Sequence, residues 1–334
     1  MMLNITIAQA NERFLESLRP RRRPSTLLAY RNALETFSNM LASQQLDVST
    51  SSVAELREDS IAQFITYMQK LSPTTESLYL QVIKNFFEFL YAENLAPINV
   101  SRVRTLMRHR TRRFKTQPPE YPEVDIKRVI AVMSNIRNGS ALKSDQTPSI
   151  LIRDMRDSAL ILTLADTGLR TEEICRLKIG DIDWTGNRAT LNGQGHKQSF
   201  ARFSTRAINA LRDYLDLRMT IDAKTGQHSS TLPLFARHDK GTGQKIQALT
   251  PTTIRNIVAD RVNEILGPEA AGTITPHTFV HYFVTSILRA TGNLKLAQVL
   301  ARHANIQITQ KYAHLSDEEL DKGYYEIFEK REGS

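Results

Sequence analysis

Residues 97–122 read PINVSRVRTLMRHRTRRFKTQPPEYP. Arg102, Arg104, Arg108, Arg110, Arg112, Arg113 and Lys115 crowd together, no acid precedes Glu120, and Pro118-Pro119 stiffen the end. Such a change of character marks an interdomain linker, and its charge is unusual for a simple spacer. With 334 residues, the chain has enough length on either side for a core of its own. The expected division is residues 1–98, a linker over 99–122, and residues 123–334.

Apolar spacing before the linker is helical. Ile7, Ala10, Phe14 and Leu18 step along one face and stop before Pro20. After Arg21, Arg22, Arg23 and Pro24, Ser25 can cap a helix carrying Leu28, Leu34, Phe37 and Leu41. Asp59 or Ser60 starts a third helix, and Pro73-Thr74 a fourth with Leu80, Ile83, Phe86 and Phe87. Four apolar stripes joined by short loops predict a small helical bundle. Arg21, Arg22, Arg23, Arg31 and Lys84 lie at its junctions and polar faces, where a solvated face is the usual reading and a phosphate-facing one the sharper.

Beyond residue 123 the pattern mixes. Helices are expected around Ile126–Met133, over DMRDSALILTLADT up to Gly168, from Thr171, over about 205–219, and over 251–266. Between them, RATLN and SFARFS flank the turn GQGHKQ, the signature of an antiparallel hairpin in a small sheet. The fold class is therefore mainly α with a small antiparallel β-sheet.

Composition narrows the function classes. The 44 Lys and Arg exceed the 35 Asp and Glu, a net charge of +9, which suggests a polyanionic partner. A single cysteine, Cys175, rules out an intramolecular disulfide and fits a reducing, cytoplasmic setting. With no run of 18 apolar residues and no secretory signal, neither a membrane span nor export is expected.

The chemistry concentrates in TPHTFVHYFVTSILRATGNLKLAQVLARHANIQITQKYAH, residues 275–314. Thr275 caps and Pro276 opens a helix, and Gly292-Asn293 break the apolar pattern into two. His277 and His281 sit one turn apart, His303 follows, and Tyr312 lies nine residues after His303. His277 and His281 have metal-ligand spacing, but no acid or cysteine nearby completes a site, so no metal is expected.

Taken with Arg170 in TGLRTEEICRL and Lys197 in the hairpin turn, these motifs resemble the tyrosine recombinase (phage integrase) family. The resemblance covers about residues 7–330 and needs several residue types in order. It implies a four-helix SAM-like core-binding domain, a basic linker and an α+β catalytic domain. It further implies a site-specific recombinase acting on double-stranded DNA with inverted-repeat sites, in a synaptic tetramer and through a Holliday junction. Tyr312 would attack a scissile phosphate and leave a 3′-phosphotyrosine, storing the bond energy so that no cofactor is needed. Arg170 would hold the non-bridging oxygens, His277 and His303 would donate hydrogen bonds or move the tyrosine proton, and Lys197 would protonate the leaving oxygen. Arg21, Arg22, Arg23, Arg31, Lys84, Arg102, Arg104, Arg108 and Arg110 would meet DNA.

Three positions depart from the family's pattern. Val280 replaces the second catalytic arginine, Gln194 stands where the turn usually has lysine, and Arg302 stands where glycine usually precedes the histidine. Arg302 is expected to face DNA backbone or solvent, with a lesser alternative in which its charge serves the phosphate. His281 is read as structural or as a support to the residues that meet the substrate, rather than as one of them. The tail SDEELDKGYYEIFEKREGS starts with a capping box, Ser316 with Glu319, and would dock on a neighbouring subunit. Val280 keeps a second reading open, a catalytically impaired DNA-binding relative, and the residue set a third, a type IB topoisomerase.

Overall fold

The computed structural model describes residues 5–20, 22, 24–110, 122–136, 147–192, 198–223, 226, 228–238, 246–310 and 312. Arg21, Arg23, Gln194, Lys197, linker residues 111–121 and the tail from 313 lie outside them. The chain divides into two compact units, Met1–Lys115 and Thr116–Ser334.

The first unit is built from α1 (Ile7–Leu18), α2 (Pro24–Ser43), α3 (Asp59–Tyr67), α4 (Pro73–Ala92) and α5 (Val100–Arg110). Thr6 caps α1 by accepting from Gln9, and Ser72 caps α4 by accepting from Thr75, so both helices start with partnered amides. Helix α2 begins at Pro24, one residue before the expected Ser25 cap, because proline already has the helical φ and no N–H to satisfy. Phenylalanines fill the core. Phe37 meets Phe64 at 5.2 Å and Phe87 at 6.1 Å between ring centroids, and Phe14 meets Phe86 at 5.5 Å.

Helix α5 corrects the expected linker. Residues 100–110 fold as a helix against α3 and α4, with Val103 buried in the first core. Two of its arginines are answered by acids on the helices beneath. Arg102 Nη2 lies 2.8 Å from Asp59 Oδ1, and Arg104 Nη2 lies 2.9 Å from Glu88 Oε1. The basic run concealed one apolar anchor and two ion pairs that only the folded bundle supplies.

The second unit holds α6 (Glu123–Ser134), α7 (Pro148–Thr167), α8 (Thr171–Arg176), a three-stranded sheet, α9 (Thr205–Asp222), α10 (Pro251–Leu266), α11 (Pro276–Thr291), α12 (Leu294–Leu300) and α13 (Ile306–Gln310). The sheet is antiparallel in the order β1 (Ile182–Asp183), β2 (Arg188–Asn192), β3 (Gln198–Arg202). Thr190 pairs with Phe200 and Leu191 with Ser199, so Ala189, Leu191 and Ala201 face the core. Helix α7 is central. Leu160, Ile161 and Leu164 are buried, and Arg261 of α10 binds Asp157 at 2.8 Å as well as Asp154. Charges so deep are tolerable because each is partnered more than once, Asp157 also by Arg156 and Arg261 also by Asp154 and Glu264. Among the described residues, no helix is long and apolar enough to cross a membrane.

Candidate active site

The site forms where α7 ends. Thr167 folds its hydroxyl back onto the Thr163 carbonyl at 2.6 Å, and Gly168 turns the chain at φ 58°. An added Cβ at Gly168 would land on the Phe283 ring of α11, so both the turn and its approach to α11 require glycine. Gly168→Ala is expected to destabilise the protein by about 1–3 kcal/mol, read by thermal or denaturant unfolding.

Arg170 follows as the residue before α8. Its backbone N–H donates to Glu173 Oε2 at 2.7 Å, while its guanidinium Nη1 sits 3.6 Å from Glu173 Oε1 with the side chain 44% exposed. Glu173 thus fixes the backbone and leaves the guanidinium open to solvent.

Helix α11 supplies His277 and His281. Thr275 accepts from Thr278 and orients the first turn. The two imidazoles pack edge to face with centroids 4.4 Å apart, and His281 meets the Tyr312 ring at 5.0 Å. Val280 is buried in the same helix. Among the described residues no group of three or more His, Cys, Asp and Glu could hold a metal ion.

Asn293 caps α12 by accepting from Leu296 at 2.9 Å. Past α12, His303 is clamped through its backbone. Its N–H donates to the Gln298 carbonyl at 3.0 Å, and Gln298 Nε2 donates back to the His303 carbonyl at 3.1 Å. Nδ1 lies 2.9 Å from the buried hydroxyl of Thr309, so Nε2 is the ring atom left for a ligand. Tyr312 stacks on His303 with centroids 6.4 Å apart and 19° between the planes.

Electrostatics joins these residues to Arg170. Burial pushes His281 and His303 down to about 4, with His277 adding to the first and Arg170, Arg302 and His277 to the second. His277 is lowered by burial and then by Arg170. Burial raises the Tyr312 phenol, against the pull of Arg170. The histidines are neutral at pH 7. A histidine held below its free value of about 6.5 takes its proton more readily unfolded than folded. The stability that His281 and His303 contribute is therefore fully present above pH ~6.5 and lost as pH falls from there through about 4, an outcome that unfolding measured across that range checks.

Arg170, His277, His303 and Tyr312 thus come together, while Lys197 and Gln194 lie outside the described residues. The expectation for Arg302 is overturned. Its side chain is 8% exposed and is turned inward, where buried carbonyls accept from it. His281, read as structural or as a support to the site residues, lies between His277 and Tyr312. The one-turn spacing of the two histidines was the available signal. Sequence reasoning misses Glu173 and Thr309 although their partners are local, Arg170 three residues and His303 six residues away. Cys175 is half-buried and pushed up to about 11 by burial, which fits an inert thiol.

The proposed DNA-contacting residues are mostly at the surface. Arg22, Arg31 and Arg108 are exposed, and Arg102 and Arg104 are exposed but ion-paired. Lys84 is partly covered, with Nζ 3.9 Å from Glu88 Oε1. Arg110 closes α5, and its side chain lies outside the described residues.

Comparison with known proteins agrees with this architecture. Residues 142–319 match the phage integrase family, more than half of the chain, and residues 12–94 match the phage integrase N-terminal SAM-like domain. Tyrosine recombinase XerC of Pelobacter propionicus is 30% identical over 304 residues, spanning 90% of this chain and 88% of the relative. Its counterpart in Thermodesulfovibrio yellowstonii is 27% identical over 300 residues, with the same coverage of 90% and 88%. In fold, the chain is similar to the Tn1549 transposon integrase in complex with transposon right end DNA, with a TM-score of 0.66, 16% identity and coverage of 97% and 99%. It is also similar to XerH site-specific recombinase bound to palindromic difH substrate, with a TM-score of 0.64, 18% identity and coverage of 90% and 79%. A helical SAM-like unit, a mainly helical second unit with one small antiparallel sheet, and a tyrosine set among histidines beside an arginine together place the chain in the phage integrase family, as a site-specific tyrosine recombinase that breaks and rejoins DNA.

Proposed function

We propose that Tyr312 is the nucleophile and Arg170 the phosphate clamp of this reaction. The observation that carries the reading is the Tyr312 ring held against His281 and His303 within the field of Arg170. The phenol is neutral at pH 7 and needs a proton acceptor as it attacks; the neutral His281 imidazole beside it is suited to that task. Its oxygen displaces the 5′-oxygen of a DNA phosphodiester, forming a 3′-phosphotyrosine and freeing a 5′-hydroxyl. Arg170 binds the two non-bridging oxygens as charge builds, and His277 and His303 donate to them. Lys197, in the hairpin turn, protonates the leaving oxygen, with Gln194 at the turn's usual lysine position. Attack by a 5′-hydroxyl on the phosphotyrosine reseals the strand, so the ester conserves the bond energy and no cofactor enters.

The partner is double-stranded DNA carrying an inverted-repeat site. Four protomers assemble on two such sites and exchange strands through a Holliday junction, with the tail from Ser316 docking on a neighbour. The setting is cytoplasmic. That the relatives are XerC recombinases supports catalysis over an impaired binder or a topoisomerase.

The test is incubation with a suicide duplex carrying the site, which traps the covalent intermediate. An adduct mapping to Tyr312, formed equally well in chelator, is expected. Tight binding with no adduct would defeat the catalytic reading. DNA affinity should also fall steeply with salt. The exposed arginines of the first unit displace counterions, and six to ten phosphate contacts correspond to about 10³–10⁵ between 50 and 200 mM salt. A flat response in a mobility-shift titration would remove the phosphate-facing role of Arg22, Arg31 and α5.

A further inference from the structure

Arg302 combines two features that oppose each other. Its backbone is left-handed, at φ 56°, a conformation that disfavours any side chain but costs glycine nothing. Yet the side chain is neither idle nor exposed. Nη1 donates to the Thr167 carbonyl at 3.2 Å and the Leu300 carbonyl at 2.9 Å, and Nη2 donates to the Gly168 carbonyl at 2.9 Å. Nη2 also lies 3.6 Å from Glu173 Oε2, the oxygen that accepts the Arg170 N–H. One guanidinium therefore links the end of α7, the start of α8 and the loop that carries His303. Its buried Nε has no hydrogen-bond partner among the described residues. Strain of this kind persists only where the surroundings enforce it, and it concentrates at functional sites.

Position 280 supplies the complement. Val280 is buried and uncharged on α11, and Phe283, three residues along the same helix, lies over Gly168. Helix α11 thus brings an apolar ring to the turn whose carbonyls Arg302 binds. We propose that Arg302 is a positioning residue of the phosphate site, which fixes Arg170 against His303 through Glu173 and the Thr167–Gly168 carbonyls, in a chain whose position 280 brings no charge of its own. It acts through Arg170 and His303 rather than by touching the phosphate. The proposal rests on Arg170 and Tyr312 having the roles given above.

The test is a two-by-two set of variants, Arg302→Gly, Val280→Arg and both together, in single-turnover cleavage of the suicide duplex at saturating protein. Glycine suits the backbone at 302, so Arg302→Gly keeps the fold, as circular dichroism checks. It should retain DNA affinity and lose about 100-fold in cleavage rate, as when a catalytic group is displaced by about an ångström. Val280→Arg should recover about tenfold or more in the Arg302→Gly background and a smaller factor in the wild type, a coupling that independent sites do not show. Arg302→Lys, which keeps a charge without the planar fork, should fall between. If Arg302→Gly does not fold, Arg302→Lys with and without Val280→Arg carries the same comparison. Wild-type cleavage by Arg302→Gly, or the same factor from Val280→Arg in both backgrounds, would overturn the proposal. Absence of any Tyr312 adduct in the unaltered protein would instead defeat the catalytic reading beneath it.

Discussion

Tyr312→Phe abolishes the covalent protein–DNA adduct and leaves binding to the site intact. The substitution removes one oxygen atom and keeps the ring, so the contacts with His281 at 5.0 Å and His303 at 6.4 Å survive. Tyr312 is partly buried and phenylalanine keeps its packing, so unfolding should change little. The chemistry loses everything. Thr309, the nearest other hydroxyl along the chain, is buried and engaged with His303 Nδ1, so it is not free to replace the phenol. Removing a nucleophile outright costs on the order of 10⁴-fold or more. Denaturing gel electrophoresis of protein trapped on a labelled suicide duplex reads this directly. A covalent band persisting in Tyr312→Phe would move the nucleophile elsewhere and dismantle the site as drawn.

The parts of this site that could be read in the sequence are those set by local rules. Thr275 with Pro276, Gly168 and Gly292 mark helix ends through backbone chemistry that acts over four residues, and the structure ends or starts helices there. The hairpin followed in the same way from alternation around a glycine-rich turn. What stayed hidden depends on contacts between distant residues. The basic run at 99–110 looked like spacer because nothing local shows that Asp59 and Glu88 stand ready to pair with it. Arg302 was misjudged for the same reason. A lone arginine beside a histidine reads as surface, and only the fold brings the Thr167 and Gly168 carbonyls within its reach. His281 lay between these cases, since its spacing from His277 was visible but its approach to Tyr312 was not.

Arg170→Ala is the second large effect, and it should appear in rate rather than affinity. The backbone at 170 is held by its N–H to Glu173 Oε2, a bond that survives loss of the side chain, so α8 and the Gly168 turn keep their places. What disappears is an exposed, planar, permanently charged fork whose field already reaches Tyr312, His277 and His303 before DNA arrives. On a pentacovalent phosphate that fork meets two oxygens at once, and losing one preorganised donor of this kind costs about 10²–10³ in rate. Binding spread over many phosphate contacts hardly notices one arginine, so the dissociation constant should stay within a few-fold while single-turnover cleavage falls by about that factor. Arg170→Lys should remain deficient, since an ammonium delivers charge without the two parallel donors. If Arg170→Ala instead weakened DNA binding and cleavage by the same factor, Arg170 would be a docking contact, and the transition-state role would pass to another cation.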